Sequence, residues 1–346
     1  MGADRWPVPD AGVLAVLRRA GSFAVIPHVL PDVDALGSAE ALCRLLRAAG
    51  KGAWVFAPEV PDLYRWALDP SLCADGAPGP GLVRVAIDTA RADRLQVPGP
   101  VAVNLDHHED NPRFAAEADW VEVAPSCSCL LPPLAEALGV SVAGALADAI
   151  YRGLVGDTEC FRVNAGPEAF RWAAWLTERG ADAEGTAERF WRRSPGFWGY
   201  LAAVEGLATE LGAPAPSGRP DPAPQGPYAL RVAPIPAELP RRFALRPFEN
   251  ALLPSHLSAP PRGGLAVLQE GASGVRVRLR GRGVDVLPLA HALGGGGHPQ
   301  AAGVQMAGVG LSEALARLRA AWMLEAGGSA ESAPLPGDRF GPAAIG

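Results

Sequence analysis

Asp106-His107-His108 closes an apolar run from Val101 to Leu105, and other residues of the same chemistry stand in comparable places. His28, Asp32 and Asp34 follow the run Phe23 to Ile26, Asp88 follows Leu82 to Ile87, and Asp157 lies within Gly156-Asp157-Thr158. Carboxylates brought that close repel one another strongly unless cations neutralise them. Divalent metals are the economical explanation. A mixed carboxylate and imidazole set suits Mn²⁺ better than Mg²⁺, which prefers oxygens and water, although Mg²⁺ stays open. Two such ions about 3.5 to 4 Å apart can clamp a phosphoryl oxygen and stabilise the leaving oxygen of an in-line displacement. These residue types therefore suit two-metal hydrolysis of a phosphoester.

Each piece alone has a plainer reading. His28 and Asp32 could form a strand-end turn with Asp34 capping the next helix. Gly156-Asp157-Thr158 alone is an ordinary turn, and Asp88 is a common kind of residue after a strand. On an extended segment Asp32 and Asp34, two apart, would share a face. Adjacent histidines at a strand end are less ordinary, and the four motifs in this order favour the metal site.

The elements that must carry these groups follow from periodicity. Short runs rich in Val and Ile read as buried strands, and in open α/β sheets ligands gather past the carboxyl ends of parallel strands. From Phe23 to about Ala181 strands and helices alternate, as in a parallel α/β domain. A helix bearing Leu42, Leu45 and Leu46 ends at Gly50, and Ala53 to Ala57 is the next strand. Helices are expected around Leu130 to Leu138, Val142 to Leu154 and Pro167 to Gly180. A Trp-rich stretch with Trp191 and Trp198, read as a packing seam, leads to a helix ending near Leu211. Thus 1–212 forms the first domain with its connecting helix, 213–227 a linker rich in Pro, Ala and Gly, 228–325 a smaller α/β domain, and 326–346 a disordered tail. In the second domain Tyr228 to Val232, Leu265 to Leu268 and Val275 to Leu279 read as strands, with helices at Val286 to Leu293 and Leu311 to Leu324. Arg276, Arg278 and Arg280 alternate along one strand and share a face, which by itself is compatible with a solvated edge.

Composition narrows the function classes. A chain of 346 residues suits two domains. No apolar stretch approaches the roughly 20 residues of a membrane-spanning helix, and no basic segment with an apolar run opens the chain, so a cytoplasmic enzyme without a membrane partner is expected. Five cysteines without a disulfide pattern fit a reducing compartment, and Cys127-x-Cys129 is too tight for an ordinary zinc knuckle. Net charge is −6 and Lys51 is the only lysine. A protein that grips long nucleic acid by its backbone presents a broad basic face; the acidic balance points instead to short substrates.

In these motifs the sequence resembles the DHH phosphoesterase superfamily, across roughly residues 20 to 325. The resemblance rests on His28-x-x-x-Asp32-x-Asp34, Asp88, Asp106-His107-His108, Gly156-Asp157-Thr158 and, near the C-terminus, Gly294-Gly-Gly-Gly297-His298-Pro-Gln-Ala301-Ala-Gly303. The subgroup most alike is the compact nanoRNase and pAp phosphatase type. The resemblance implies a parallel-sheet catalytic domain and a smaller α/β substrate domain, with the active site in the cleft between them. It implies one metal on His28, Asp32 and Asp88 and another on Asp34, Asp88, His107 and Asp157, with Asp88 shared. His108 would lie beside the scissile phosphate and Asp106 would orient the histidines. Arg280, Gly295, Gly296, Gly297 and His298 would bind substrate, as would Ser126 and Ser128 of the Pro125 to Cys129 segment. Arg278 departs from the family pattern, which has a small hydroxyl residue there.

The function so implied is manganese-dependent hydrolysis of short RNA or DNA oligonucleotides and of nucleotide phosphates, including 3′-phosphoadenosine 5′-phosphate (pAp); a homodimer stays open. The alternatives are a cyclic-dinucleotide or linear dinucleotide phosphodiesterase and, in another class, a catalytically silent nucleotide-binding protein. A processive RecJ-like exonuclease fits poorly with a short acidic chain. A manganese pyrophosphatase would share the first lobe but not the glycine-rich histidine segment.

Overall fold

The computed structural model describes residues 7–212, 229–246, 249–257 and 263–325. The chain divides into two compact units, Met1–Arg192 and Arg193–Gly346. The expected linker and tail lie outside the described residues.

The first unit begins with α1 (Ala11–Arg19), capped by Asp10, and continues through β1 (Ser22–Ile26), α2 (Val33–Ala48), β2 (Gly52–Val55), β3 (Val83–Ile87), β4 (Val103–Asp106) and β5 (Ala118–Val121). Helices α3 (Leu131–Ala137), α4 (Ala145–Asp157), α5 (Pro167–Thr177) and α6 (Ala183–Trp191) complete it. The five strands pair in parallel in the order β2-β1-β3-β4-β5. Residues on both faces of β1 and β3 are buried toward their carboxyl ends, which explains the apolar runs Phe23 to Ile26 and Val85 to Ile87. This order reverses direction between β1 and β3, where the sheet leaves a crevice past the strand ends. His28 and Asp32 follow β1, and Asp88 follows β3. Gly50, at φ +77°, ends α2 in the left-handed conformation that glycine adopts without penalty.

Helices α2 and α4 pack closely because glycine lines their crossing. A Cβ on Gly37 would lie 2.7 Å from the Ala149 carbonyl oxygen, and one on Gly153 would lie 2.4 Å from Asp34 Oδ1. Glu40 of α2 crosses the same seam: its buried carboxylate accepts hydrogen bonds from Arg152 of α4 at 2.7 Å and from Arg44 at 2.8 Å.

The second unit holds α7 (Pro195–Leu207), β6 (Thr209–Gly212), β7 (Ala229–Ile235), α8 (Leu253–His256), β8 (Gly263–Gly271), β9 (Gly274–Arg282), α9 (Leu287–Ala292), β10 (Gly296–His298), β11 (Ala301–Ala307) and α10 (Leu311–Glu325). Its sheet runs β10-β11-β9-β8-β7-β6, antiparallel except between β7 and β8. One face buries Val275, Val277 and Leu279 with Leu289 and Leu318; the other buries Leu265 and Val267 with Phe197 and Tyr200.

Two expectations change here. The division falls at Arg192 rather than after Gly212, because Phe197, Tyr200 and Val204 of α7 bury against Ala233, Ile235 and Val267. The glycine-rich segment is no open loop. Gly294, at φ +79°, ends α9, and Gly296 to His298 form a strand in register with Ala301 to Gly303. Gly295 and Gly297 admit close backbone contact, since a Cβ on either would lie 2.6 Å or less from β11 atoms.

Candidate metal centre

The first ligand motif is a helix start. Asp32 is the N-cap of α2, its Oδ1 accepting from the backbone N–H groups of Asp34 and Ala35 at 3.1 Å each. Asp34 therefore sits inside the first turn, not on an extended segment as expected, and the cap is Asp32 rather than Asp34. The helix carries the Asp34 carboxylate into the interior, where it accepts from Cys127 N at 2.6 Å, Ser128 N at 3.2 Å and Ser38 Oγ at 3.0 Å. Burial, then the negative charge of Asp157, pushes its pKa up to about 7.

Asp88 occupies the middle. Its φ is +50°, a left-handed conformation uncommon for a side-chain-bearing residue, and its N–H donates to the Leu105 carbonyl at 2.9 Å. Asp88 Oδ2 lies 3.8 Å from His28 Nε2, while Oδ1 lies 3.5 Å from His107 Nε2 and 3.9 Å from His108 Nδ1. Oδ1 is buried and accepts no hydrogen bond. Burial and the charges of Asp34 and Asp32 hold the Asp88 carboxyl well above the usual carboxylate range. A buried acceptor without a donor is costly, and a cation among these side chains would relieve it.

The two adjacent histidines are held differently. His107 Nδ1 lies 3.1 Å from the Ala124 carbonyl, so this nitrogen carries the proton and donates; Nε2 faces Asp157 Oδ2 at 3.1 Å and Asp34 Oδ2 at 3.9 Å. That is how a histidine is set to ligate through Nε2. Burial works against its imidazolium, but the hydrogen bond and charge of Asp157, with Asp88 and Asp34, raise its pKa to about 11. His108 Nδ1 instead meets Asp106 Oδ1 at 2.8 Å, and Asn111 donates to Asp106 Oδ2 at 2.6 Å. Burial would raise the Asp106 pKa, yet these bonds prevail and lower it; the same bond raises that of His108 against its own desolvation.

Three groups of side chains bring one ligand atom each within 4.8 Å of one another: His28 with Asp32 and Asp88, Asp34 with His107 and Asp157, and Asp88 with His107 and His108. All six residues expected as metal ligands are thus gathered around Asp88. Asp106 hydrogen-bonds to His108 and Asn111, whereas His107 is bonded to the Ala124 carbonyl.

Ser126 and Ser128 depart from the expectation of substrate contact. Both are fully buried and their hydroxyls lie 2.7 Å apart; Ser128 Oγ also donates to the Ile150 carbonyl at 2.9 Å. They are spent on bracing the segment that binds Asp34. Arg280 lies on β9, where its register partner on β11 is Ala301, itself opposite His298. The side chain of His298 lies outside the described part of the structure.

Sequence reasoning missed Asn111, the Ala124 carbonyl and the Cys127 and Ser128 amides. Backbone groups leave no trace in residue type, whereas Ser38, one turn after Asp34, could have been noticed. Beyond Asp157 the chain turns sharply: Glu159, Cys160 and Phe161 have φ of 45°, 55° and 65°. Thr158 holds this turn, its hydroxyl donating to Leu154 O at 2.6 Å and accepting from Phe161 N at 3.1 Å. No helix among the described residues is long and apolar enough to cross a membrane.

No family model matches the chain. It is 30% identical over 308 residues to the bifunctional oligoribonuclease and PAP phosphatase NrnA of Thermus thermophilus, spanning 86% of this chain and 88% of that protein. An uncharacterized protein of Mycoplasma pneumoniae is 27% identical over 177 residues, 47% of this chain and 53% of its own. Among solved structures, an exopolyphosphatase-related protein from Bacteroides fragilis matches the fold with a TM-score of 0.72 at 20% identity, covering 89% of this chain and 94% of that one. With identity of that extent, and with Asp106-His107-His108 at the heart of the gathered ligands, the chain belongs to the DHH phosphoesterase family, in the NrnA-like type, and is a metal-dependent phosphoesterase.

Proposed function

We propose that the protein hydrolyses short oligonucleotides and pAp with two divalent ions, Mn²⁺ foremost. The observation that carries this reading is Asp88, one buried carboxylate facing His28, His107 and His108 with an oxygen that accepts no hydrogen bond. The relative from Thermus thermophilus supplies the substrate classes by its name.

In this reading His28, Asp32 and Asp88 hold one ion, and Asp34, Asp88, His107 and Asp157 the other. Bound there, the ions supply Lewis acidity toward a phosphoryl oxygen and a nucleophilic water at neutral pH. The chain's own contribution is preorganisation. Ala124 fixes the His107 tautomer, Cys127 and Ser128 orient Asp34, and the Asp32 cap ties the first motif to α2. His108 stands apart, more exposed than His107 and held by Asp106. Its raised pKa keeps more of it protonated near neutrality, which suits a hydrogen bond to a phosphate oxygen and proton transfer to the leaving oxygen.

The test is a substrate panel with Mn²⁺: pAp, pApA, a five-nucleotide RNA, a long single-stranded DNA and cyclic di-AMP. Preference for pAp and the short linear RNAs is expected. Fastest turnover of cyclic di-AMP or of the long strand would overturn the reading.

A further inference from the structure

Strand β9 carries Arg276, Arg278, Arg280 and Arg282 and no acidic residue. Its alternate residues Val275, Val277 and Leu279 are buried in the core, so the arginines occupy the opposite face. On the neighbouring strand, β11, the residues in register with them are small or neutral: Gln305 beside Arg276, Gly303 beside Arg278 and Ala301 beside Arg280. Gly303 and Gln305 are exposed, and Gly296 lies beyond Gly303 with nothing within 4 Å of where a Cβ would stand. On β11 this face is therefore an open floor of exposed residues, bordered on β9 by a row of cations.

Arg276 and Arg278 meet no carboxylate among the described residues. Arg278 is half-buried and donates to the neutral Gln269 Oε1 at 3.0 Å. Arg276 is exposed, and neither arginine forms an ion pair with a described residue. Desolvation, then the like charges of Arg276 and Arg280, pulls the Arg278 pKa down to about 10. Such crowding of like charge is unfavourable unless an anion joins it. Residues two apart on a strand are about 6.7 Å apart, comparable with the separation of consecutive phosphates on an extended nucleotide chain. Guanidinium groups match phosphate geometry in bidentate fashion.

We propose that Arg276 and Arg278 form a phosphate-binding subsite on the open face of β9, next to the position of Arg280, so that successive phosphates of a linear oligonucleotide run along the strand. The proposal rests on the function proposed above and sharpens it: the preferred ligand is a linear chain with at least two phosphates in a row, and Arg278 is a specificity-determining residue. The bases would lie over the small-residue floor of β11.

The test uses full-length, manganese-loaded protein and a fluorescent trinucleotide with a 5′-phosphate and hydrolysis-resistant phosphorothioate linkages, titrated at several salt concentrations. Arg276→Gln and Arg278→Gln should each weaken binding about tenfold and reduce the slope of log affinity against log salt by about 0.7, the value for one lost single-strand phosphate contact. Arg319→Gln, on α10, should change neither. Arg276 is exposed, so its variant keeps the test valid if Arg278→Gln folds poorly. Unchanged affinity and slope in Arg276→Gln and Arg278→Gln would overturn the subsite, even with hydrolysis of short RNA intact. Failure of the unmodified protein to bind the probe would overturn it as well. Arginine-dependent binding without hydrolysis of any oligonucleotide would uphold the subsite and sink the catalytic reading instead.

Discussion

His108 donates its Nδ1 proton to Asp106 at 2.8 Å, while the residue before it, His107, donates its own to the Ala124 carbonyl at 3.1 Å. One imidazole is backed by a carboxylate and the other by a neutral oxygen. The first is thereby made more basic and the second is left to turn Nε2 toward Asp88 and Asp157. Two chemically identical neighbours acquire separate tasks from their partners alone.

Asp106→Asn should separate those tasks. The variant keeps the shape of the Asp106–His108 contact but loses its charge, so kcat at saturating Mn²⁺ should fall about 10- to 100-fold with Mn²⁺ affinity nearly unchanged. Combining it with His108→Ala should cost little more than His108→Ala alone, because the two act as one unit. Equal and additive losses, measured in a double-mutant cycle, would show that Asp106 acts elsewhere.

Asp88→Ala should be more damaging than the loss of any other single ligand, exceeding about a hundredfold in kcat/KM, since it empties the shared position. Activity within about threefold of the unmodified protein would show that no ion depends on it. Mn²⁺ titration by calorimetry provides the independent readout.

The metal-free protein should lose stability as pH rises. The folded-state pKa values of Asp34, about 7, and His107, about 11, stand above their ordinary values, and that of Asp88 is raised as well. Between about pH 4 and 8 the folded chain then binds more protons than the unfolded one, and stability falls with increasing pH. Thermal melts in chelator at pH 5 and pH 8 should give the lower Tm at pH 8. Mn²⁺ should expel those protons, restoring more stability at pH 8 than at pH 5; a Tm in chelator that climbs with pH would contradict the charge arrangement.

Gly153→Ala should disturb the metals through the helix crossing. The added Cβ would stand 2.4 Å from Asp34 Oδ1 and 2.5 Å from Ser128 Oγ, so α4 must shift. Overpacking of this kind costs about 1–3 kcal/mol, and weaker Mn²⁺ binding should accompany the lower Tm. A Tm loss with unaltered metal affinity would show that Asp34 adapts independently of α4.

A chain ending at Arg192 should fold and bind Mn²⁺ with much reduced activity on oligonucleotides. One ending at Gly212 should be prone to aggregate, because Phe197, Tyr200 and Val204 would lose the core that buries them. Size-exclusion profiles of the two truncations decide this; equal solubility would mean that α7 has a second place to pack.

The parts of this structure legible in sequence are those where one residue type has one use. Apolar runs mark β1, β3 and β4, and the acidic or imidazole residues that end or follow them, with Asp157 at the end of α4, lie together in the structure. Strands β10 and β11 were hidden because glycine and alanine signal turns or nothing, although Ala302, Val304 and Met306 alternate inward. Asp32 and Asp34 sit on a helix start rather than on an extended segment, since an N-cap is defined by where the helix starts. Ser126 and Ser128 misled because a hydroxyl serves an interior carboxylate segment as well as a ligand, and only burial tells which.

The left-handed run at Glu159, Cys160 and Phe161 places backbone strain directly beside Asp157. None of the three is glycine, and each such residue costs about 1–2 kcal/mol. Thr158 and the packing of Phe161 against Phe170 hold that energy in place. Exchange of Glu159 for glycine would ease the fold while loosening the turn that follows Asp157. Here the chain keeps precision where greater stability was within one substitution's reach.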